Sequence, residues 1–346
     1  MRKFIWPVVL VLVTALLIAG GILLSRQQPQ DGLEAGTLIS ETASGALVGR
    51  STEVRVPWGS LQVTVTEPLD ETPDGEKVGP GASLVGVQVS LRGPEDLLVT
   101  DRVPNGYLLD PTFTLVADDE EYLLEGLAGW INDEEITPVS RRQYVALKGV
   151  PEKLSLRVGY EGVEQVVDGL TGILARGKAL PLYELGFPGG AQPCAEPLWS
   201  TGAGDVGENV TTCLITSSAM RPYVAGLGWA PEGSRWMLVT VLPGTPAEFE
   251  GPKGTYTVVD ATTTYLLDLQ APVKTFDYND ALPPGVVPAE NDPQVAVFEV
   301  AEDRPTGQFE VRTELVGETE VTFGKGKKER TKTKTFEALV AQGAFL

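Results

Sequence analysis

Six basic residues, Lys325, Lys327, Lys328, Arg330, Lys332 and Lys334, fall within the stretch Gly324-Lys-Gly-Lys-Lys-Glu-Arg-Thr-Lys-Thr-Lys334, against the single acid Glu329. Ammonium and guanidinium groups at that density hold anions: a wall polymer, lipid head groups or the acidic surface of another protein. The competing role is defensive, with lysines on an edge strand keeping it from pairing with other chains. Acids cluster elsewhere, and hard cations take carboxylate and amide oxygens. Asp277, Asn279, Asp280, Glu290 and Asp292 are the calcium candidates, although Leu282 stands where an EF-hand loop needs glycine. Glycoside hydrolysis also needs only carboxylates, but nothing in Asp118-Asp-Glu-Glu121 or Asp133-Glu-Glu135 singles out a working pair. Cys194 and Cys213, the chain's two cysteines, are expected to form one disulfide in an oxidising compartment, with free thiols as the alternative.

Other chemistry falls away on residue type. The chain has 0 histidines, which removes Ser-His-Asp, Cys-His and His-metal sites together. Gly202-Ala-Gly-Asp-Val-Gly207 spells the dinucleotide fingerprint, but the strand and helix that must flank it are missing; Asn209-Val-Thr-Thr reads as strand. Gly81-Ala-Ser-Leu-Val85 lacks the last glycine of a nucleophile elbow. No cofactor, nucleotide or nucleic acid is therefore expected, and the chain reads as not an enzyme. Trp130 and Trp229, each after a Gly/Leu-rich turn, offer ring platforms for sugars, with core packing the default for them and for Trp58, Trp199 and Trp236.

The elements that position these groups begin with an uncharged apolar run at residues 4–24, preceded by Arg2 and Lys3. At about 1.5 Å per residue a helix of that length spans the roughly 30 Å hydrocarbon core of a bilayer. The positive flank keeps the N-terminus cytoplasmic and places the rest outside, in the membrane of the cell. A cleaved signal peptide, cut near Ala19-Gly-Gly21, is the competing reading, and it makes the product a secreted antigen-like protein. Beyond Arg26 lie 24 of the 27 Lys+Arg and all 47 Asp+Glu, a formal charge of −23. So acidic a body disfavours nucleic acid and anionic lipid as general partners.

Residues 1–26 thus read as cytoplasmic tip and anchor, and 27–51, rich in Gly, Ser, Thr and Gln, as a flexible stalk. From Thr52 short alternating runs take over: residues 54–56, 61–65, 84–91, 113–116, 121–124, 143–147 and 154–158, separated by turns such as Pro73-Asp-Gly75 and Pro104-Asn-Gly106. They predict an antiparallel β-sandwich over 52–170. Residues 171–195 read as a connector, and 196–346 as a second sandwich ending in the basic hairpin. The second is a copy of the first, because residues 113–124 align without a gap on 256–267, with five of twelve positions identical. The predicted fold class is all-β: two tandem antiparallel immunoglobulin-like sandwiches behind one transmembrane helix.

The anchor, the polar stalk and strands such as Val85-Gly-Val-Gln-Val-Ser-Leu91 and Phe113-Thr-Leu-Val-Ala-Asp-Asp-Glu-Glu-Tyr122 resemble the immunoglobulin-like envelope and secreted proteins of actinobacteria, over about residues 53–168 and more faintly 198–321. The resemblance implies a noncatalytic sandwich and transfers no site residues. The expected function is an extracytoplasmic binding or accessory protein of the cell envelope, with an envelope protein or wall polymer as partner. A carbohydrate-binding or carbohydrate-processing surface module is the alternative.

Overall fold

The computed structural model describes residues 32–42, 45–92, 109–132, 135–136, 140–184, 189–204, 213–242, 244–277, 294–304, 306–323 and 330–345. It is all-β; the helical segments among those residues are two 3-10 pieces, Glu125–Leu127 and Gly177–Tyr183. In the first half the strands are β1 (Leu38–Thr42), β2 (Arg50–Val56), β3 (Gly59–Val65), β4 (Ala82–Leu91), β5 (Thr112–Ala117), β6 (Glu120–Leu123), β7 (Ile131–Asn132), β8 (Glu135–Ile136), β9 (Ser140–Lys148), β10 (Leu154–Tyr160), β11 (Val163–Asp168) and β12 (Leu174–Ala175). The second half holds β13 (Gln192–Pro193), β14 (Leu198–Trp199), β15 (Leu214–Arg221), β16 (Tyr223–Val224), β17 (Gly228–Trp229), β18 (Ser234–Leu242), β19 (Glu248–Gly251), β20 (Gly254–Leu267), β21 (Lys274–Asp277), β22 (Gln294–Ala301), β23 (Gln308–Phe323) and β24 (Arg330–Phe345).

All seven strands expected in the first half are present, because period-two alternation matches the pleat; β10 is buried at every second residue. A first sheet, β1-β9-β4-β3-β2, and a second, β12-β11-β10-β5-β6, share one core. Val54, Leu61, Val63, Val87 and Val145 meet Phe113, Leu115, Leu156 and Val158 there. A third sheet, β13-β15-β18-β22-β21, and a fourth, β14-β24-β23-β20-β19, share another, built on Ile215, Val239 and Phe298 against Tyr265, Phe309 and Val311. Each such side chain contributes roughly 1.5–3 kcal/mol by leaving water.

The central strands recur in order. Chain order β3, β4, β5, β9, β10, β11 builds β9-β4-β3 and β11-β10-β5; chain order β15, β18, β20, β22, β23, β24 builds β22-β18-β15 and β24-β23-β20. The gapless alignment of 113–124 on 256–267 is nevertheless corrected. The first segment is a hairpin, β5 and β6, turning at Asp118 (φ 52°), whereas the second lies within the single strand β20. Ala117 pairs with Leu154 where Leu267 pairs with Phe309, so Ala117 and not Leu124 is the counterpart of Leu267.

Two boundaries also move. The flexible-stalk reading of 27–51 fails from Leu33 onward: Leu33 N–H donates to Lys77 O, and β1 pairs with β9 over five residues. The cause is the outer side of the first sheet, where Leu84, Tyr144 and Ala146 are apolar and take cover from Leu33, Ile39, Leu47, Leu69 and Val78. Gly86 lets Tyr144 lie across the strand, since a Cβ there would stand 2.6 Å from the ring. Arg142, 5% exposed, then clasps the arm by donating to Gly45 O and Gln88 Oε1, with Glu41 at 3.8 Å. The connector reading of 171–195 fails at both ends. β12 pairs with β11, the Tyr183 hydroxyl donates to Gln165 and accepts from Arg55 N–H, and β13 already belongs to the third sheet. Among the described residues no helix is long and apolar enough to cross a membrane; the run at 4–24 lies outside them.

Candidate interaction surface

The fourth sheet outgrows its partner. β20, β23 and β24 have 14, 16 and 16 residues, against 8, 9 and 8 for β15, β18 and β22. Its excess core-side surface is closed by aromatic rings: Phe249 stacks on Tyr256 at 5.7 Å and on Trp199 at 6.3 Å, and Phe336 lies 6.1 Å away. Gly317 makes room for Phe249, whose ring would come within 2.5 Å of a Cβ there. The last rung joining β20 to β23 is Thr257 with Glu318, but β23 and β24 go on for five more rungs, from Thr319 with Lys334 to Phe323 with Arg330. At about 3.4 Å per residue the hairpin continues roughly 17 Å past the sheet as a two-stranded ribbon.

Register gives the ribbon two unlike faces. Cross-strand partners share a face, so Thr319 with Lys334 and Val321 with Lys332 lie on one side, while Glu318 with Thr335 and Glu320 with Thr333 lie on the other. The lysine side continues the core side of the sheet, in line with Phe336, Ala338 and Val340. The acidic side continues its outer face, which adds exposed Glu314 on β23, Glu337 on β24 and Asp260 on β20. Glu310 on that face is bound by Arg312, Nε to Oε1 at 2.7 Å, and its carboxylate raises the pKa of the guanidinium. An open groove of about 620 Å³ lies at the other end of the hairpin, with Glu196, Leu198, Gln308, Glu310 and Ala341 in its walls.

The expected basic patch is thus described only in part: Lys332 and Lys334 stand exposed on β24 and Arg330 begins it, while Lys325, Lys327 and Lys328 lie outside the described residues. Cys194 and Cys213 are joined in a disulfide, Cα atoms 5.3 Å apart, which ties edge strand β13 to β15. Of the calcium candidates only Asp277 falls on a described strand, and Asn279, Asp280, Glu290 and Asp292 lie outside. Among the described residues no three Asp, Glu, Cys or His side chains are grouped to hold a metal ion. The sugar-platform reading is corrected. Trp130 is fully buried, donating Nε1–H to Leu127 O, and Trp229 packs edge-on to Tyr223 at 5.4 Å while donating to Tyr160 O.

That last contact belongs to a junction which sequence reasoning missed. Tyr223 and Ala225, from the β16–β17 hairpin, enter the core of the first two sheets, with Tyr160 and Tyr223 edge-to-face at 5.3 Å. Burial between Tyr160 and Glu161 pushes the Tyr223 hydroxyl far above the usual tyrosine range. Arg235 donates to Pro181 O across the same seam and is held by Glu302 of its own half. The glycines of Ala225-Gly-Leu-Gly228 were the available signal for a tight hairpin. Tyr122, held by burial and by its bond to Glu120, is pushed up to about 12 and supplies no base near neutral pH.

No family model matches the chain, and no curated protein matches it. Among solved structures, one described as the conserved domain protein from Bacillus anthracis aligns over 86% of this chain and 90% of its own, at 11% identity and a TM-score of 0.21. A likeness at that level carries no inference about this chain.

Proposed function

We propose that this chain is a single-pass membrane protein, N-terminus inside, whose two tandem immunoglobulin-like β-sandwiches stand outside the cell and act by binding rather than catalysis. The partner is an envelope protein or an anionic wall polymer. The observation that carries this reading is the ribbon: lysines brought to one face of a projecting hairpin, in a chain of net charge −20. The disulfide supports an oxidising compartment. Two sheets around a common core in each half support the sandwich reading. Leu33 follows the end of the apolar run by nine positions, so the folded body is tethered within about 30 Å of it.

The test is capture. Full-length protein in detergent is used to pull material from an envelope extract, beside Lys332→Glu/Lys334→Glu, with proteins identified by mass spectrometry and polymer by phosphate and uronate assays. The reading expects the variant to lose the captured partner while its melting temperature stays put. Equal capture by both proteins overturns it.

A further inference from the structure

The ribbon's lysines need an acidic surface of matching pitch, and the chain itself carries one. On the outer face of the fourth sheet, Glu314, Glu318 and Glu320 follow β23, with Glu337 beside them on β24 and Asp260 on β20, all exposed. Alternate residues of any strand step by about 6.8 Å, so Lys332 and Lys334 on one hairpin keep step with Glu318 and Glu320 on another. Sheets stacked face to face sit about 10 Å apart, a gap that extended Lys and Glu side chains close from both sides.

Resting on the binding reading above, we infer that the partner of the lysine face is the outer, acidic face of the same sheet in a second copy of this chain. The two faces lie on opposite sides of one hairpin, so the contact is head-to-tail: each copy offers lysines to one neighbour and acids to the next. Such a heterologous contact grows a row unless its rotation happens to close a ring. Anchored chains all stand the same way up, which suits a row spreading along a membrane. Overall charge sharpens the register. Two chains of net charge −20 repel one another overall, and the meeting of lysines with acids opposes that repulsion locally. A ribbon of two strands is marginal by itself in water, so the contact also steadies it.

The experiment is sedimentation of the full-length chain in detergent at rising concentration. Wild type is expected to associate, and to do so less as salt is raised from about 50 mM to about 500 mM, where screening shortens to a few ångströms. Lys332→Glu/Lys334→Glu is expected to weaken association at least about tenfold, and so is Glu318→Lys/Glu320→Lys, since each turns attraction into repulsion. An equimolar mixture of the two variants restores association, because the intact lysine ribbon of one meets the intact acidic face of the other. Circular dichroism melts of each variant separate lost contact from lost fold. A mixture that stays monomeric, or a lysine variant that associates like wild type, overturns the inference. If wild type is monomeric yet the lysine variant still loses its captured envelope partner, self-assembly falls and the binding reading stands. If capture is also unchanged, both fall.

Discussion

The two halves of the molecule use the same six central strands and spend their surplus surface in opposite ways. In the first half it is the first sheet that is oversized, with β4 and β9 at 10 and 9 residues facing β5 and β10 at 6 and 7. Its extra apolar face is covered from outside by the arm carrying β1 and by the loop before β4, locked by Arg142. In the second half the fourth sheet is oversized, its surplus near the body is sealed by aromatic rings, and the remainder leaves the body as a charged ribbon. The first half covers its oversized sheet, and the second leaves part of its own uncovered.

The comparison breaks most visibly at Phe249. Phe249→Ala removes the ring between Trp199, Tyr256 and Phe336 and should cost about 3–5 kcal/mol. Hydrogen exchange should then show the β23–β24 amides opening while those of β4 and β9 keep their protection. Next in size is the disulfide. Cys194→Ser/Cys213→Ser frees a link of sequence separation 19, which should lower the stability of the second half by about 3 kcal/mol in urea and leave the first half unchanged. Smaller is the glycine pair: Gly86→Ala and Gly317→Ala each push a Cβ into a ring, Tyr144 in one half and Phe249 in the other, and should each cost about 1–3 kcal/mol. Equal costs sharpen the parallel between the halves; a harmless Gly317→Ala would show that the aromatic seal is loose.

The smallest effect is a pH dependence confined to the first half. Burial pushes the Glu53 pKa up, but hydrogen bonds and charge from Arg55 and Arg92 outweigh it and hold the carboxyl below its ordinary 4.5. The ionised form therefore favours the folded state: its contribution is complete above 4.5 and fades as pH falls through the lowered folded value. Glu53→Gln should be less stable than wild type by a constant margin above 4.5, and the margin should shrink below it. A margin that grows on acidification would reverse the sign. Chemical denaturation on either side of 4.5 measures it.

What the sequence made legible follows from which signals are local. Leu61-Gln-Val-Thr-Val65 and Leu154-Ser-Leu-Arg-Val158 alternate within themselves, so their strands were visible, and two cysteines permit only one pairing. β1 was missed because Leu38-Ile-Ser-Glu-Thr42 is half polar and its stability comes from β9, about a hundred residues away. The repeat register differs because Tyr-Leu-Leu occurs in both halves but at different places, at the end of β6 in one and within β20 in the other. The basic hairpin was visible as composition. Its two faces were not, since they depend on Lys334 lying opposite Thr319 and not Glu320, a matter of pairing that composition leaves undetermined.

In the proposed function an anchored chain displays this ribbon outside the cell. Thr333→Cys places a thiol on an exposed stretch of it, while the native cysteines are occupied with each other. A membrane-impermeant maleimide applied to intact cells should label full-length Thr333→Cys in the membrane fraction as completely as after lysis, and leave wild type unlabelled. Labelling that requires lysis would contradict the account.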